Sequence, residues 1–445
     1  MKISIIGSGY VGLITGVCLA EKGHSIVCVD VDHKKVAHIN QGLPPIYEQD
    51  LEKLLKKNIH INLKATADLR QAVIDTEVSL ITVGTPFDGE KIDLTQIKDV
   101  SYQIGGALRD KNTYHLVIVK STVIPGTTDD VIVPIIEEAS RKKACFDFGV
   151  GMNPEFLREG VAVEDFMNPD RIVLGAIDKR SLDWMEKIYG CFENVDKVRT
   201  NNRTAEMIKY ASNSLLATMI SFSNEIANLS AAIGGIDVTE VMQGVHLDKR
   251  LSPIFENGER VMPPILEFIK AGCGFGGSCF PKDVKALIAH GKQFGKSMKL
   301  LNAVVEINQK QPYEIVSLIK KHFSDLRKIR IAVLGLAFKP GTDDMRESPA
   351  IPVVRILSEM GAVIKAYDPV ALEAAKKILG KHNITYCKSL RQTLDDVDVV
   401  VLITRWEEFM QLPELFANLK PQPLLIDGRR VLDKNRFSRY DGIGL

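Results

Sequence analysis

Three pairs of polar or reactive side chains, each separated by four residues, are the part of this sequence best suited to chemistry. Four-residue spacing places two side chains on one face of a helix. The pairs are Glu155 with Glu159, Lys209 with Asn213, and Cys279 with Asp283. Carboxylates and amines can transfer protons, and a thiolate can bond covalently to a substrate. Each pair alone also fits a structural role, but their occurrence together favours catalysis.

Cys279 has the sequence context of an activated nucleophile. Pro281 suits the first turn of a helix, so Cys279 is expected at a helix N-terminus beside Lys282. Both features lower the pKa of a thiol and increase its nucleophilicity. Glycines just before it would let a substrate lie against bare backbone. They are Gly272, Gly274, Gly276 and Gly277. The alternative is a buried apolar cysteine.

A glycine fingerprint follows the first apolar run, Ile3–Ile6, and predicts a dinucleotide site. Asp30 ends the next apolar run, 18 residues after Gly12, near the spacing of a ribose-binding acid. A carboxylate there repels a 2′-phosphate and favours NAD over NADP. Lys35 is either a neighbour of the same ribose or a solvated lysine. The contacts predicted in the fingerprint are Gly7, Gly9, Tyr10, Val11 and Gly12. The alternative is a glycine-rich turn of another α/β protein.

Four further residues follow apolar runs, where open parallel sheets bind ligands. Thr85 and Thr122 would offer hydroxyls beside a dinucleotide, or would cap helices. In the last third of the chain, Lys339 and Arg429 would bind a diphosphate, or would be surface cations.

Apolar runs of strand length alternate with helical stretches in the first and last thirds, which is typical of parallel sheets covered by helices. A long helical segment, 204–233, is apolar on more than one face and is therefore expected to be buried, connecting domains or forming a subunit interface. The sequence predicts an α/β protein with two Rossmann-like doubly wound domains joined by a long central helix and a helical middle domain. The expected domains are residues 1–200, 201–315 and 316–445.

Composition excludes several classes of protein. Lys plus Arg number 57 and Asp plus Glu 56, so the net charge is +1, and nucleic acid is not an expected partner. No apolar run is long enough to span a bilayer. Seven scattered cysteines without a C-x-x-C pair predict a reduced, cytoplasmic protein, and no metal site is expected.

In order along the chain, these motifs resemble those of the UDP-glucose/GDP-mannose dehydrogenase family. The most specific block is Gly274-Phe-Gly-Gly-Ser-Cys-Phe-Pro-Lys-Asp283, and the resemblance covers nearly the whole chain. It implies oxidation of a sugar CH2OH to a carboxylate with two NAD+. The implied substrate is UDP-glucose, with GDP-mannose and UDP-N-acetyl sugars as open alternatives.

The resemblance also implies a role for each residue. Cys279 would form a thiohemiacetal and then a thioester, and Glu155 would activate water for thioester hydrolysis. Lys209 and Asp283 would assist the first oxidation and stabilise the oxyanion, with Asn213 as their partner. Further cofactor contacts would be Thr122, Glu159 and Arg346. Thr122 would also take part in catalysis. The implied substrate contacts are Glu155, Phe156, Leu157, Arg158, Glu159, Lys209, Asn213, Arg250, Phe275, Gly276, Lys339 and Arg429.

Arg250 resembles an arginine that reaches into the substrate site of a neighbouring subunit, which implies a homodimer. Compared with the shorter pattern of the family, residues 257–266 are expected to be an insertion. Arg260 therefore remains the alternative to Arg250 for this contact between subunits. Two other functions stay open. A two-electron hydroxyacid dehydrogenase would have no use for Cys279 or a third domain. A non-catalytic dinucleotide sensor would leave the acid, amine and thiol set unexplained.

Overall fold

A computed structural model describes residues 1–445. The chain folds into two compact units, Met1–Ser212 and Asn213–Leu445. None of its helices combines the length and the apolar character that crossing a membrane requires.

The first unit is built on an eight-stranded sheet in the order β3-β2-β1-β4-β5-β6-β7-β8. The strands are β1 (Lys2–Ile6), β2 (Ser25–Val29), β3 (Leu63–Thr66), β4 (Val78–Ile81), β5 (His115–Val119), β6 (Phe148–Met152), β7 (Arg171–Ala176) and β8 (Asp196–Thr200). All pairs are parallel except β6 with β7. β1, β4 and β5 are almost wholly buried, which explains why they are apolar runs and do not alternate with polar residues.

Helices cover this sheet. They are α1 (Tyr10–Glu21), α2 (His33–Asn40), α3 (Leu51–Asn58), α4 (Leu69–Asp75), α5 (Thr95–Arg109), α6 (Val133–Ser140), α7 (Ala162–Met167) and α8 (Lys179–Ile188). A long helix, α9 (Asn202–Ile233), starts in the first unit and continues into the second.

The second unit contains a six-stranded, fully parallel sheet in the order β11-β10-β9-β12-β13-β14. Its strands are β9 (Arg330–Leu334), β10 (Val363–Tyr367), β11 (Ile384–Tyr386), β12 (Val399–Leu402), β13 (Leu424–Asp427) and β14 (Tyr440–Gly442). Its helices after α9 are α10 (Val238–His246), α11 (Ile265–Phe268), α12 (Phe280–Gln293), α13 (Lys299–His322), α14 (Ala350–Glu359), α15 (Leu372–Leu379), α16 (Leu390–Leu394) and α17 (Leu412–Ala417).

The predicted fold class is confirmed: two Rossmann-like sheets and a helical middle are present. The expectation that the long helix is buried holds only in part for the single chain, since Tyr210, Ala217 and Ala227 are fully buried but other apolar side chains are not. Leu215, Phe222 and Leu229 of α9 are 60%, 52% and 56% exposed. These three side chains recur every seven residues, so they form one exposed apolar stripe along the helix.

Candidate active site

The glycine fingerprint forms a tight turn between β1 and α1. Gly7 has a φ of 101°, a conformation that favours glycine. A Cβ on Gly12 would lie 1.9 Å from the carbonyl oxygen of Gly7, so the helix passes closer to the strand end than any larger residue allows. Beside Gly9, in contrast, a Cβ would meet no atom within 4 Å. The turn therefore leaves free space at the N-terminus of α1, which suits the pyrophosphate of a dinucleotide.

Asp30 lies at the carboxyl end of β2, next to this turn. Its carboxylate accepts hydrogen bonds from the backbone N–H groups of Ser8 and Asp32, both at 3.0 Å. Lys35 Nζ lies 3.8 Å from Asp30 Oδ2. The structure thus brings the predicted ribose acid, its lysine neighbour and the glycine turn together.

Tyr10 and Val11 open α1, and both are half-buried. The Tyr10 hydroxyl donates a hydrogen bond to Glu48, a buried carboxylate that the sequence did not single out. Burial and the neighbouring Glu48 carboxylate raise the pKa of Tyr10. Glu48 lies between α2 and α3 in a segment without a recognisable motif, so no local signal could have identified it.

Thr85 and Thr122 meet in the loops after β4 and β5. The Thr85 hydroxyl donates to the backbone carbonyl of Thr122 at 2.7 Å, so Thr85 joins the two loops and does not cap a helix.

Glu155 and Glu159 do not share a helix face, because residues 153–158 form an irregular loop after β6. A shared face required a helix over both residues, and this condition is not met. The Glu155 carboxylate folds back instead and accepts a hydrogen bond from Leu157 N–H at 2.7 Å. Lys209 on α9 holds the loop by donating to both the backbone carbonyl of Glu155 (2.7 Å) and its carboxylate (3.0 Å).

The surroundings of Glu155 favour its ionised form. Burial raises the pKa of this carboxyl, but the charge and hydrogen bond of Lys209, the Leu157 N–H and the charge of Lys120 outweigh burial, and its pKa lies below the usual value. Lys120 is itself buried, and burial lowers its pKa to about 8. Its ammonium donates to Asn153 Oδ1 at 2.8 Å, two residues before Glu155.

The other residues predicted along this loop point in different directions. The Phe156 ring is half-buried and stacks under the guanidinium of Arg171, 3.9 Å from its centre. Leu157 and Glu159 are half-buried, and Arg158 is exposed and pairs with Asp165.

In the second unit, Cys279 precedes α12 immediately, as predicted, and Pro281 lies in its first turn. Ser278 Oγ lies 3.6 Å from the Cys279 sulfur. Asp283, one turn into the helix, is fully buried and accepts hydrogen bonds from Asn213 Nδ2 (2.6 Å) and Lys282 Nζ (2.5 Å). The thiol, a buried carboxylate and its amide partner therefore lie around one helix N-terminus.

The glycines before Cys279 are required by packing within the chain. A Cβ on Gly276 would lie 2.2 Å from the carbonyl oxygen of Glu347, and one on Gly277 would lie 2.6 Å from the Phe338 ring. Phe275, next to them, exchanges two backbone hydrogen bonds with the side chain of Asn308. Close approach of the chain to itself accounts for these glycines, and contact with a substrate stays a prediction.

Arg429 and Lys339 follow strands of the second sheet, as predicted. Arg429 donates to the backbone carbonyls of Ile403 (2.6 Å) and Gly274 (3.0 Å), so it fixes the start of the glycine-rich block. Lys339 lies in the loop after β9, with its ammonium 5.9 Å from the centre of the Phe338 ring.

Three more arginines were considered in the sequence. Arg346 is exposed and forms a bidentate salt bridge with Asp344. The side chain of Arg250 is 88% exposed and pairs with its near neighbour Asp248. Arg260 instead donates to the carbonyls of Leu247 (2.7 Å) and Ser252 (2.9 Å), so it stabilises its own loop.

Comparison with known proteins shows which family has domains like those of this chain. Residues 1–193 match the NAD binding domain of the UDP-glucose/GDP-mannose dehydrogenase family, residues 203–310 its central domain and residues 332–434 its UDP binding domain. The chain is 41% identical to the UDP-glucose 6-dehydrogenase AglM of Haloferax volcanii, over 100% of both chains.

Two solved structures extend the match. A UDP-glucose dehydrogenase from Pyrobaculum islandicum is 38% identical with a TM-score of 0.89, covering 99% of this chain and 97% of that one. A UDP-D-ManNAc dehydrogenase from Pyrococcus horikoshii is 26% identical with a TM-score of 0.85, covering 100% and 99%. With all three family domains present in order, the chain belongs to the UDP-glucose/GDP-mannose dehydrogenase family.

Proposed function

We propose that this protein oxidises UDP-glucose to UDP-glucuronate with two NAD+. The observation that carries the proposal is the position of Cys279, at the N-terminus of α12, with the buried Asp283 in the first turn of that helix and bound there by Asn213 of α9. An enzyme that stops at an aldehyde needs no thiol there. An enzyme that oxidises the aldehyde again needs a nucleophile to hold it.

NAD fits the turn at Gly7–Gly12, because space is open beside Gly9 and Asp30 lies at the position of a ribose-binding acid. When bound, the nicotinamide accepts the hydride in each oxidation. Thr122 and Glu159 are proposed neighbours of its ring, and Arg346 is a proposed further contact.

In the first oxidation, carbon 6 of the sugar loses a hydride and its hydroxyl loses a proton. We assign Lys209 and Asp283 to assist removal of this proton. Both side chains are almost fully buried, at 3% and 0% exposure, where charge acts strongly. The product of this step is an aldehyde.

In the second oxidation, the Cys279 sulfur adds to the aldehyde carbon and forms a thiohemiacetal. Loss of a second hydride and of the hydroxyl proton converts this adduct to a thioester. Water, deprotonated by Glu155, then attacks the thioester carbon and breaks its bond to sulfur. The thiol is regenerated and the sugar leaves as a carboxylate. A carboxyl with a lowered pKa is ionised near neutral pH and can act as this base.

The UDP-glucose assignment is supported by the names of relatives at 41% and 38% identity. The neighbour from Pyrococcus horikoshii acts on a different UDP sugar, so UDP-N-acetyl sugars and GDP-mannose are the alternatives to test. Lys339 and Arg429 are the proposed diphosphate contacts. The decisive assay measures NADH formed per sugar consumed for each nucleotide sugar. Two NADH and a uronate from UDP-glucose are expected, and one NADH with a free aldehyde would contradict the mechanism.

The order of steps is tested with Cys279→Ala and Glu155→Gln. Without the thiol, no covalent adduct and no uronate should form. With Glu155→Gln, capture continues but hydrolysis slows, so mass spectrometry should detect protein carrying the sugar nucleotide. Near-normal uronate formation by Cys279→Ala would show that the cysteine is structural.

We also infer a homodimer through α9. The exposed stripe of Leu215, Phe222 and Leu229 is the apolar surface that a second copy would cover. Because the side chain of Arg250 is exposed and Arg260 is engaged in its own loop, Arg250 is the better candidate to reach a neighbouring subunit. Phe222→Glu should produce monomers in light scattering, whereas exposed Tyr102→Glu, on a helix of the first unit, should not.

Division of the chain into domains 1–200, 201–315 and 316–445 remains our proposal, supported by family matches with similar limits. Seven cysteines outside any disulfide, one of them the proposed nucleophile, support action in the reducing cytoplasm.

A further inference from the structure

Glu48 is a buried carboxylate outside every motif of the sequence. It is 7% exposed and lies between α2 and α3. Removing a carboxylate from water is costly unless hydrogen bonds replace its hydration. Glu48 accepts from the Tyr10 hydroxyl and from the backbone N–H groups of Gly160 and Ala162, each of the latter at 2.8 Å. Its environment is therefore built around the carboxylate.

The three donors belong to segments that serve the proposed reaction. Tyr10 is the first residue of α1, within the glycine fingerprint. Gly160 ends the loop that contains Glu155 and Glu159, and Ala162 starts α7. The Gly160 N–H also lies 3.2 Å from the Tyr10 hydroxyl oxygen. A single side chain thus joins the cofactor turn to the C-terminal end of the loop.

The two ends of this loop are fixed by different residues. At the N-terminal end, Lys120 binds Asn153, and Lys209 binds Glu155. At the C-terminal end, Glu48 holds Gly160, the residue after Glu159. An irregular loop has backbone groups that need partners outside the loop, so loss of Glu48 should loosen the end that contains Glu159.

We propose that Glu48 is a positioning residue for the cofactor. It holds the fingerprint turn and the Glu159 end of the loop in the arrangement that binds NAD, and leaves the N-terminal end of the loop to be held by Lys120 and Lys209. This inference rests on the proposed function for the role of the loop, but its effect on NAD binding can be measured without turnover.

The test compares Glu48→Gln, Tyr10→Phe and the control Glu52→Gln. Glutamine keeps one acceptor oxygen, and its amide N–H2 would face a backbone N–H, so Gly160 or Ala162 loses its acceptor. Tyr10→Phe removes only one hydroxyl and leaves both backbone bonds. Glu52 is an exposed residue of α3 that pairs with Lys56, so its neutralisation should change nothing.

Calorimetric titration should give an NAD Kd raised about tenfold in Glu48→Gln, since a buried donor loses a charged acceptor, and about threefold in Tyr10→Phe. The KM for NAD should rise in parallel, while the KM for UDP-glucose stays unchanged. Hydrogen exchange should quicken in peptides covering 156–162 and not in those covering 115–122.

Wild-type NAD affinity in Glu48→Gln would overturn the proposal, because Glu48 would then have no role in cofactor binding. Equal rises in the KM for NAD and the KM for UDP-glucose would also overturn it, because they would indicate a general loosening of the fold. If Glu48→Gln does not fold, Tyr10→Phe decides the question, and an unchanged NAD affinity in that variant would overturn the proposal. If the wild-type protein fails to oxidise UDP-glucose, the proposed function fails, while the NAD Kd values still decide the role of Glu48.

Discussion

In the first unit the turn after β1 is open to a ligand, whereas in the second unit the equivalent turn after β9 is filled by the chain itself. Both sheets share the order of their first six strands, so β9 corresponds to β1 and β10 to β2. Both turns start with a glycine of positive φ, Gly7 at 101° and Gly335 at 87°. After Gly7 a helix begins at Tyr10, but after Gly335 the next helix begins only at Ala350.

The acid that ends the second strand shows the same difference. A carboxylate has about four acceptor positions. Asp30 accepts two backbone N–H groups and can still bind ribose hydroxyls. Asp368 accepts four backbone N–H groups and the indole N–H of Trp406, and it is fully buried. An acid at the end of the second strand of such a sheet therefore indicates a dinucleotide site only where the protein leaves some acceptor positions of its carboxylate without a hydrogen-bond donor.

The largest effect is expected from Gly12→Ala compared with Gly9→Ala. The new methyl on Gly12 would lie 1.9 Å from a backbone oxygen, so the turn must open, and NAD affinity should fall more than about a hundredfold, the size of a multi-kilocalorie steric penalty. The methyl on Gly9 meets no protein atom, so the melting temperature should not change. Any loss of NAD affinity in Gly9→Ala would then show that bound NAD lies in contact with Gly9. Equal behaviour of the two variants would contradict an open turn.

Asp368→Asn should destabilise the second unit without affecting NAD. Asparagine presents an N–H2 group to backbone N–H donors and leaves at least one of them unsatisfied, at a cost of about 2 kcal/mol in the free energy of unfolding. Chemical denaturation measures this loss, and calorimetric titration should give the wild-type NAD Kd. A changed NAD Kd with full stability would indicate that the second turn also binds a dinucleotide.

The ends of β5 and β13 extend the comparison. Asp427, at the end of β13, is satisfied by N–H groups of its own loop, whereas Lys120, after β5, places its charge near Glu155. Lys120→Met should raise the pKa of Glu155. Because the ionised carboxylate is the proposed base, activity is lost as pH falls through that pKa, and the acidic limb of the kcat profile should move to higher pH.

Lys111→Met is the matched control for Lys120→Met. Lys111 is also buried, with its pKa lowered by burial to about 8, but it precedes β5 and binds the carbonyls of Val73 and Thr76. Its loss should reduce stability and leave the acidic limb in place. A shift of the limb in both variants would attribute the change to the fold and not to the charge near Glu155.

The features predicted from sequence were those set by local pattern. β1 and β5 are apolar runs and the fingerprint is a glycine-rich turn directly after β1, and their structure depends on neighbours along the chain. The short strand β8 was missed because Asp196–Thr200 is largely polar. The loop with Glu155 and the role of Glu48 depend on partners more than forty residues away, such as Lys209 and Gly160. Four-residue spacing cannot reveal these contacts, because the same spacing fits a helix that the backbone does not form.

The smallest expected effect concerns cofactor choice and uses Asp30→Asn. The negative charge near the ribose should favour NAD, since the 2′-phosphate of NADP would lie next to a carboxylate. Asparagine keeps the acceptor for one backbone N–H but removes the repulsion, and Lys35, 3.8 Å from Asp30, then attracts the phosphate. The ratio of kcat/KM for NAD to that for NADP should fall about tenfold, equivalent to about 1.4 kcal/mol of electrostatic repulsion. Lys35→Ala on the same background should restore part of the preference for NAD. An unchanged ratio in Asp30→Asn would show that Asp30 does not contact the ribose, and the difference between the two turns would then lie in where the next helix begins and not in the acid.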